Sequence, residues 1–170
     1  YLGKIEMERS NYAKAADYYR QVIAASPHFS SAYLELGVSY ELDKKPELAV
    51  EAYKNGLKNA PNDTPLLTRL GSLYIQMNRI DEAIALYKDL EKNAETRTEA
   101  MLRVGLIYFE QKKYDDAIGK FRAILSVNPL LYRVRYYLGA SYEQKEDYAE
   151  AAKEFAMIPV DDTNYVDSKI

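Results

Sequence analysis

The 170-residue chain has no cysteine and a single histidine. Without cysteine there are no disulfides and no thiolate metal sites, although this absence selects no cellular compartment. One histidine rules out paired-histidine ligand spacing, and the chain also lacks a cysteine nucleophile and a glycine-rich phosphate loop. His28 follows Pro27. A solvated loop residue is its favoured reading over a base or a metal ligand, because nothing beside it supplies co-ligands or an orienting group. The acidic pairs Asp115-Asp116 and Asp161-Asp162 are read as first-turn helix charge or loop rather than as carboxylate sites. No catalytic residue, metal or cofactor is therefore expected. No apolar run approaches the ~18 residues of a membrane-spanning helix. Lys and Arg total 23 against 26 Asp and Glu, a net charge of −3, and the signs are interleaved. That balance offers no basic face for nucleic acid and no basic amphipathic helix for a membrane surface. No low-complexity segment or linker divides the chain, which reads as one domain.

Glycine is also scarce, yet five of the seven glycines are evenly placed. Gly3, Gly37, Gly71, Gly105 and Gly139 lie 34 residues apart. Other positions keep the same phase. One residue earlier come Leu2, Leu36, Leu70, Val104 and Leu138, and three later come Glu6, Tyr40, Tyr74, Tyr108 and Tyr142. Twelve later stand Ala15, Ala49, Ala83, Ala117 and Ala151. Sixteen later stand Tyr19, Tyr53, Tyr87, Phe121 and Phe155, all aromatic. Twenty-four later are Pro27, Pro61 and Pro129, with Glu95 and Thr163 as departures. A fixed period of this size requires a stack of like units, each meeting its neighbour in the same way.

The in-phase residues fall at helical spacing. Tyr33, Leu36, Gly37 and Tyr40 mark a first helix, and Ala49 and Tyr53 a second. A mid-helix glycine costs about 1 kcal/mol relative to alanine, so five of them imply close helix approach. Small Gly and Ala are expected to face each other across a pair, with the aromatics filling the gap to the next unit. Prolines stop helices between units, and Asp43-Lys44-Lys45, Met77-Asn78-Arg79 and Gln111-Lys112-Lys113 turn the chain within them. First helices should begin near Ser30, Thr64, Thr98 and Leu131, and second helices near Pro46, Ile80, Tyr114 and Asp147.

This pattern resembles the tetratricopeptide repeat family over nearly the whole chain. The resemblance implies an all-α, right-handed solenoid of antiparallel helix pairs. The unit limits are 1–29 (partial), 30–63, 64–97, 98–131 and 132–165, with 166–170 starting a further unit. The chain opens on Tyr1, and a sixth glycine would fall at 173, beyond Ile170. A piece of a longer repeat protein is therefore expected.

The resemblance also implies the function, a protein-interaction scaffold whose ligand lies in a concave groove lined by the first helices. Groove positions flank each glycine at minus six, minus three, minus two, plus one, plus four and plus five. They include Leu34 and Val38 in the second unit, Arg69 in the third, and Leu102, Arg103, Leu106 and Phe109 in the fourth. The fifth supplies Arg133, Tyr136 and Tyr137. Apolar residues around three arginines suit an extended peptide or amphipathic helix of acidic character. The alternative for the arginines is pairing with Glu35, Glu99 or Glu110. Tyr132, Tyr136 and Tyr137 share a helix with Arg133 and Arg135, and either partner contact or plain packing would account for them. A subset of the family grips a chaperone's C-terminal carboxylate with Lys, Asn and Arg. Here Leu34 and Val38, or Thr68 and Ser72, replace the Lys and Asn, and only Arg103 matches, which disfavours that role. Two alternatives to a groove-binding scaffold are a self-associating structural segment and a recruiting segment of a larger enzyme.

Overall fold

The computed structural model describes residues 1–159, in which helices and short turns are the only elements. The helices are α1 Leu2–Glu8, α2 Tyr12–Ala25, α3 Ser30–Leu42, α4 Pro46–Asn59, α5 Thr64–Gln76, α6 Ile80–Leu90, α7 Arg97–Glu110, α8 Tyr114–Val127, α9 Tyr132–Gln144 and α10 Tyr148–Ala156. Every expected start is met within one residue. The further unit expected at 166–170, the acid pair Asp161-Asp162 and Thr163 lie outside the described residues.

Local signals explain these bounds. Asp63 caps α5 by accepting from the Leu66 N–H at 3.1 Å, and Asp147 caps α10 through the Glu150 N–H at 3.3 Å. Pro46 opens α4, where its missing N–H costs nothing. Acidic residues sit in the first turns of α4, α6 and α8, including Asp115 and Asp116, where they oppose the helix dipole.

The turn inside each helix pair is itself periodic. Ser10, Lys44, Asn78, Lys112 and Glu146 have φ of 60°, 57°, 57°, 60° and 63°. The next residue's N–H then bonds back five residues, as from Lys45 to the Tyr40 carbonyl at 2.9 Å and from Lys113 to Tyr108 at 2.8 Å. This is a Schellman stop built without glycine. The polar triplets turn the chain here as expected.

The chain forms two compact units, Tyr1–Leu86 and Tyr87 onward, with the division inside α6. In the first, α1 pairs with α2 and α3 with α4, while α2 also packs on α3 and α4 on α5. Glu6 takes the position held elsewhere by tyrosine and is buried, with its carboxylate accepting from Asn11 Nδ2 at 2.8 Å and lying 3.6 Å from Lys14 Nζ. In the second, α7 pairs with α8, α9 with α10, and α8 packs on α9. Its core gathers Phe121, Ile124, Val134, Leu138 and Ala151. Arg135 ties α9 to α10 through Glu154 at 2.6 Å, with both side chains largely buried.

The repeated glycines meet the aromatics sixteen residues on. A Cβ on Gly37 would stand 2.1 Å from the Tyr53 ring, and one on Gly105 would stand 2.6 Å from the Phe121 ring. Gly3 and Gly139 face Tyr19 and Phe155 in the same way. The alanines at the shared phase, among them Ala49 and Ala117, are fully buried. Gly56, outside the period, lies between Tyr33 of α3 and Leu66 of α5, and an added Cβ would stand 2.8 Å from Tyr33 Cβ.

Candidate partner-binding faces

In the first unit α3 lies beside α5. The core side of α3 presents Ala32, Tyr33, Leu36, Gly37 and Ser39. Leu34, Val38 and Leu42 form a second stripe at four-residue spacing, with Leu34 and Val38 half-buried and Leu42 exposed. Core packing thus explains one apolar face of this helix and leaves the other. Glu35 and Glu41 flank the stripe, both half-buried.

Tyr53 reaches this face from α4. It is fully buried, its ring fills the space over Gly37, and its hydroxyl donates to the Glu41 carboxylate. Burial first, and then the bond to Glu41, push the phenol far above its ordinary pKa. The Arg69 guanidinium opposes that shift, so it stands within electrostatic reach of Tyr53. Arg69 is exposed and makes no ion pair among the described residues. A cleft of about 400 Å³ lies along the same unit, lined by Tyr1, Lys4, Tyr19, Val22, Phe29, Ser31, Ala32 and Glu35. The buried Tyr19 hydroxyl has no hydrogen-bond partner among the described residues. Burial, and then the Glu35 charge, raise its pKa.

In the second unit α7 lies beside α9. Leu102, Leu106, Phe109 and Tyr137 all pack, partly buried, against its core. Phe109 meets Tyr137 edge-on at 6.0 Å, and Tyr137 stacks on Phe121 at 6.0 Å. Tyr136 meets Tyr137 edge-on at 5.7 Å and Phe155 at 5.8 Å. Such contacts add directional attraction to area burial. Leu102, Leu106, Phe109 and Tyr137 therefore border one core, and Tyr136 joins them through Tyr137. Arg103 Nε pairs with Glu99 at 2.7 Å, one turn earlier on α7. Arg133 is exposed on the first turn of α9 and makes no ion pair among the described residues. Pairing with a glutamate thus describes Arg103 and neither Arg69 nor Arg133.

Sequence reasoning missed the hydroxyls beneath these faces. Tyr19 is influenced by Glu35, Tyr53 by Glu41 and Arg69, and Tyr87 by Arg103 and Glu99, so each phenol lies near charge carried by a first helix. The signal was present in the phase: tyrosine holds this position in the first three units and phenylalanine in the last two. His28 is an exposed residue between α2 and α3. Among the described residues no group of three or more His, Asp or Glu could hold a metal ion, and no helix is long and apolar enough to cross a membrane.

Comparison with known proteins agrees with the fold. No curated protein matches the sequence. Solved structures similar to it include MamA, at 22% identity and TM-score 0.70, covering 99% of this chain and 92% of that one. PilF of Pseudomonas aeruginosa is similar at 21% identity and TM-score 0.67, covering 92% and 72%. YrrB, described as a TPR protein with an unusual peptide-binding site, is similar at 18% identity and TM-score 0.65, covering 98% and 88%. At these identities the likeness is one of fold. The family model for the tetratricopeptide repeat matches residues 2–64, 68–126 and 113–164. The chain belongs to the tetratricopeptide repeat family of protein–protein interaction scaffolds.

Proposed function

We propose that this chain is a noncatalytic tetratricopeptide domain, with unit limits near 30, 64, 98 and 132, that holds an acidic peptide or amphipathic helix on its first-helix faces. The observation that carries this reading is the second apolar stripe on those helices. Leu34 and Val38 on α3, and Leu102, Leu106 and Phe109 on α7, remain partly exposed after the core is complete. Partly exposed apolar area of this kind is what an amphipathic partner covers. Arg69 on α5 and Arg133 on α9 bring cations without an ion pair to the neighbouring first helices, and a guanidinium binds a carboxylate through paired donors. Arg103 would exchange its weak surface pair with Glu99 for a partner carboxylate.

The test is an Arg69→Ala, Arg103→Ala double variant used beside the parent to recover partners from the source cell. It should keep its helical spectrum and lose affinity for those partners, and the parent's binding should weaken as salt rises. Recovery of the same partners in the same amount by both proteins would refute the reading. Concentration-dependent self-association of the parent in light scattering, with no other partner bound, would replace it with a structural role.

A further inference from the structure

We propose that the α8–α9 turn of the second unit is a tip that docks on an anionic lipid surface. The inference shares Arg133 with the first-helix faces but does not rest on a partner being bound there. Val127 and Leu130 are 76% and 72% exposed, and Leu131 is 38% exposed. Three exposed aliphatics within five residues are unusual for a soluble turn. The corresponding turns of the other units show that the repeat does not require them. Where Leu130 stands, the earlier units have His28, Asn62 and Thr96, and where Val127 stands they have Ala25, Asn59 and Asn93.

Charge favours an anionic surface. Residues 117–142 contain Lys120, Arg122, Arg133 and Arg135 and no acidic residue. Lys120 is neutralised by Glu91 at 2.7 Å and Arg135 by Glu154 at 2.6 Å. The other two are not. Arg122 lies over the Tyr142 ring at 5.5 Å, and neither Arg122 nor Arg133 makes an ion pair among the described residues. Aliphatic tips flanked by arginine and by Tyr132 match the layered chemistry of a bilayer surface: acyl chains first, then headgroups.

Part of the turn's backbone is already bonded internally. Polar backbone groups that leave water must be bonded internally. Asn128 N–H donates to the Ile124 carbonyl at 2.9 Å, and Tyr132 N–H to the Leu130 carbonyl at 2.9 Å. Pro129 has no N–H, and its carbonyl accepts from the Arg135 guanidinium at 2.9 Å. The same guanidinium bridges to Glu154, so the turn is braced against α10 as well as α9. The tip can be dehydrated without stranding these groups.

The experiment is co-sedimentation of the chain with vesicles of phosphatidylcholine alone and of phosphatidylcholine with phosphatidylglycerol. The expected result is binding to the anionic vesicles that weakens with salt. Val127→Ser with Leu130→Ser should lower the apparent affinity about tenfold or more, with unchanged melting, since both side chains face water. Arg122→Gln and Arg133→Gln should each lower it about fivefold. Equal binding to both vesicle types would refute the anionic requirement. Binding unaffected by the serine pair, or no vesicle binding at all, would overturn the proposal. Concentration-dependent dimerisation lost in the serine pair, without vesicle binding, would also overturn it and assign the tip to a second copy of the chain.

Discussion

Gly37→Ala and Gly119→Ala are the same substitution inside a helix, and the structure gives them opposite signs. Alanine gains about 1 kcal/mol over glycine in a helix interior. Gly119 is exposed on α8, and a Cβ there meets nothing within 4 Å. Gly119→Ala should therefore stabilise by about 1 kcal/mol. A Cβ on Gly37 would stand 2.1 Å from Tyr53 Cε1 and 2.5 Å from Cζ. The ring cannot swing aside, because Tyr53 is fully buried and its hydroxyl is held by Glu41. Overpacking of this kind costs about 1–3 kcal/mol, and the severe overlap puts Gly37→Ala at the upper end. After the helical gain is subtracted, a net loss of about 1–2 kcal/mol remains. In thermal melts followed by circular dichroism, Gly119→Ala should rise by about 2–4 °C and Gly37→Ala should fall by about 2–8 °C. Truncating the ring in a Gly37→Ala, Tyr53→Leu double variant should show a favourable coupling of about 0.5 kcal/mol or more relative to the two single changes. If Gly37→Ala melted as high as Gly119→Ala, the close passage of Tyr53 over Gly37 would be wrong.

Lys112→Gly should raise stability by about 0.5–1 kcal/mol in urea melts, because Lys112 sits at φ 60° and glycine removes that strain at some entropic cost. Glu154→Gln should cost about 2–3 kcal/mol by stranding the Arg135 charge, somewhat below the ~3–5 of a fully buried pair, and thermal melts would register it. Tyr53 holds its proton in the folded chain, whereas the unfolded chain releases it near pH 10. Its contribution is therefore complete below about pH 10 and declines as pH rises beyond it. Tyr53→Phe should flatten that alkaline decline when melts at pH 9 and pH 11 are compared.

The period of the glycines makes the helix pairs and nearly every helix start legible in the sequence. The one-residue differences at α9 and α10 arise because Leu131 and Asp147 are N-caps rather than first helical residues. The turn residues were legible only as polar triplets. Their left-handed backbone carries no glycine signature, since Ser10, Lys44, Asn78, Lys112 and Glu146 share little but phase. The expectation that the aromatics would fill the gap to the next unit left out their length, which brings them over the glycine of their own unit. A ring from the second helix lies over the glycine as its nearest neighbour, and the alanine of the same phase is buried in the same pair. Gly56 was passed over because it breaks the period, and its role depends on Tyr33 and Leu66 converging on it. For the candidate faces, phase told which residues share a helix side. It did not separate Tyr137, which stacks on the buried Phe121, from Arg133, which stays exposed. That division depends on which rings reach the core. The brace between Arg135 and Glu154 was likewise hidden, because its partners lie 19 residues apart.

The central claim, that a partner lies on the first helices, is tested most directly by hydrogen exchange of the chain alone and bound to a recovered partner. The predicted result is added protection on α3 around Leu34 and Val38 and on α7 around Leu102 and Leu106, with α4 and α8 unchanged. Protection confined to α4 and α8, or spread evenly over both helices of each pair, would contradict the account.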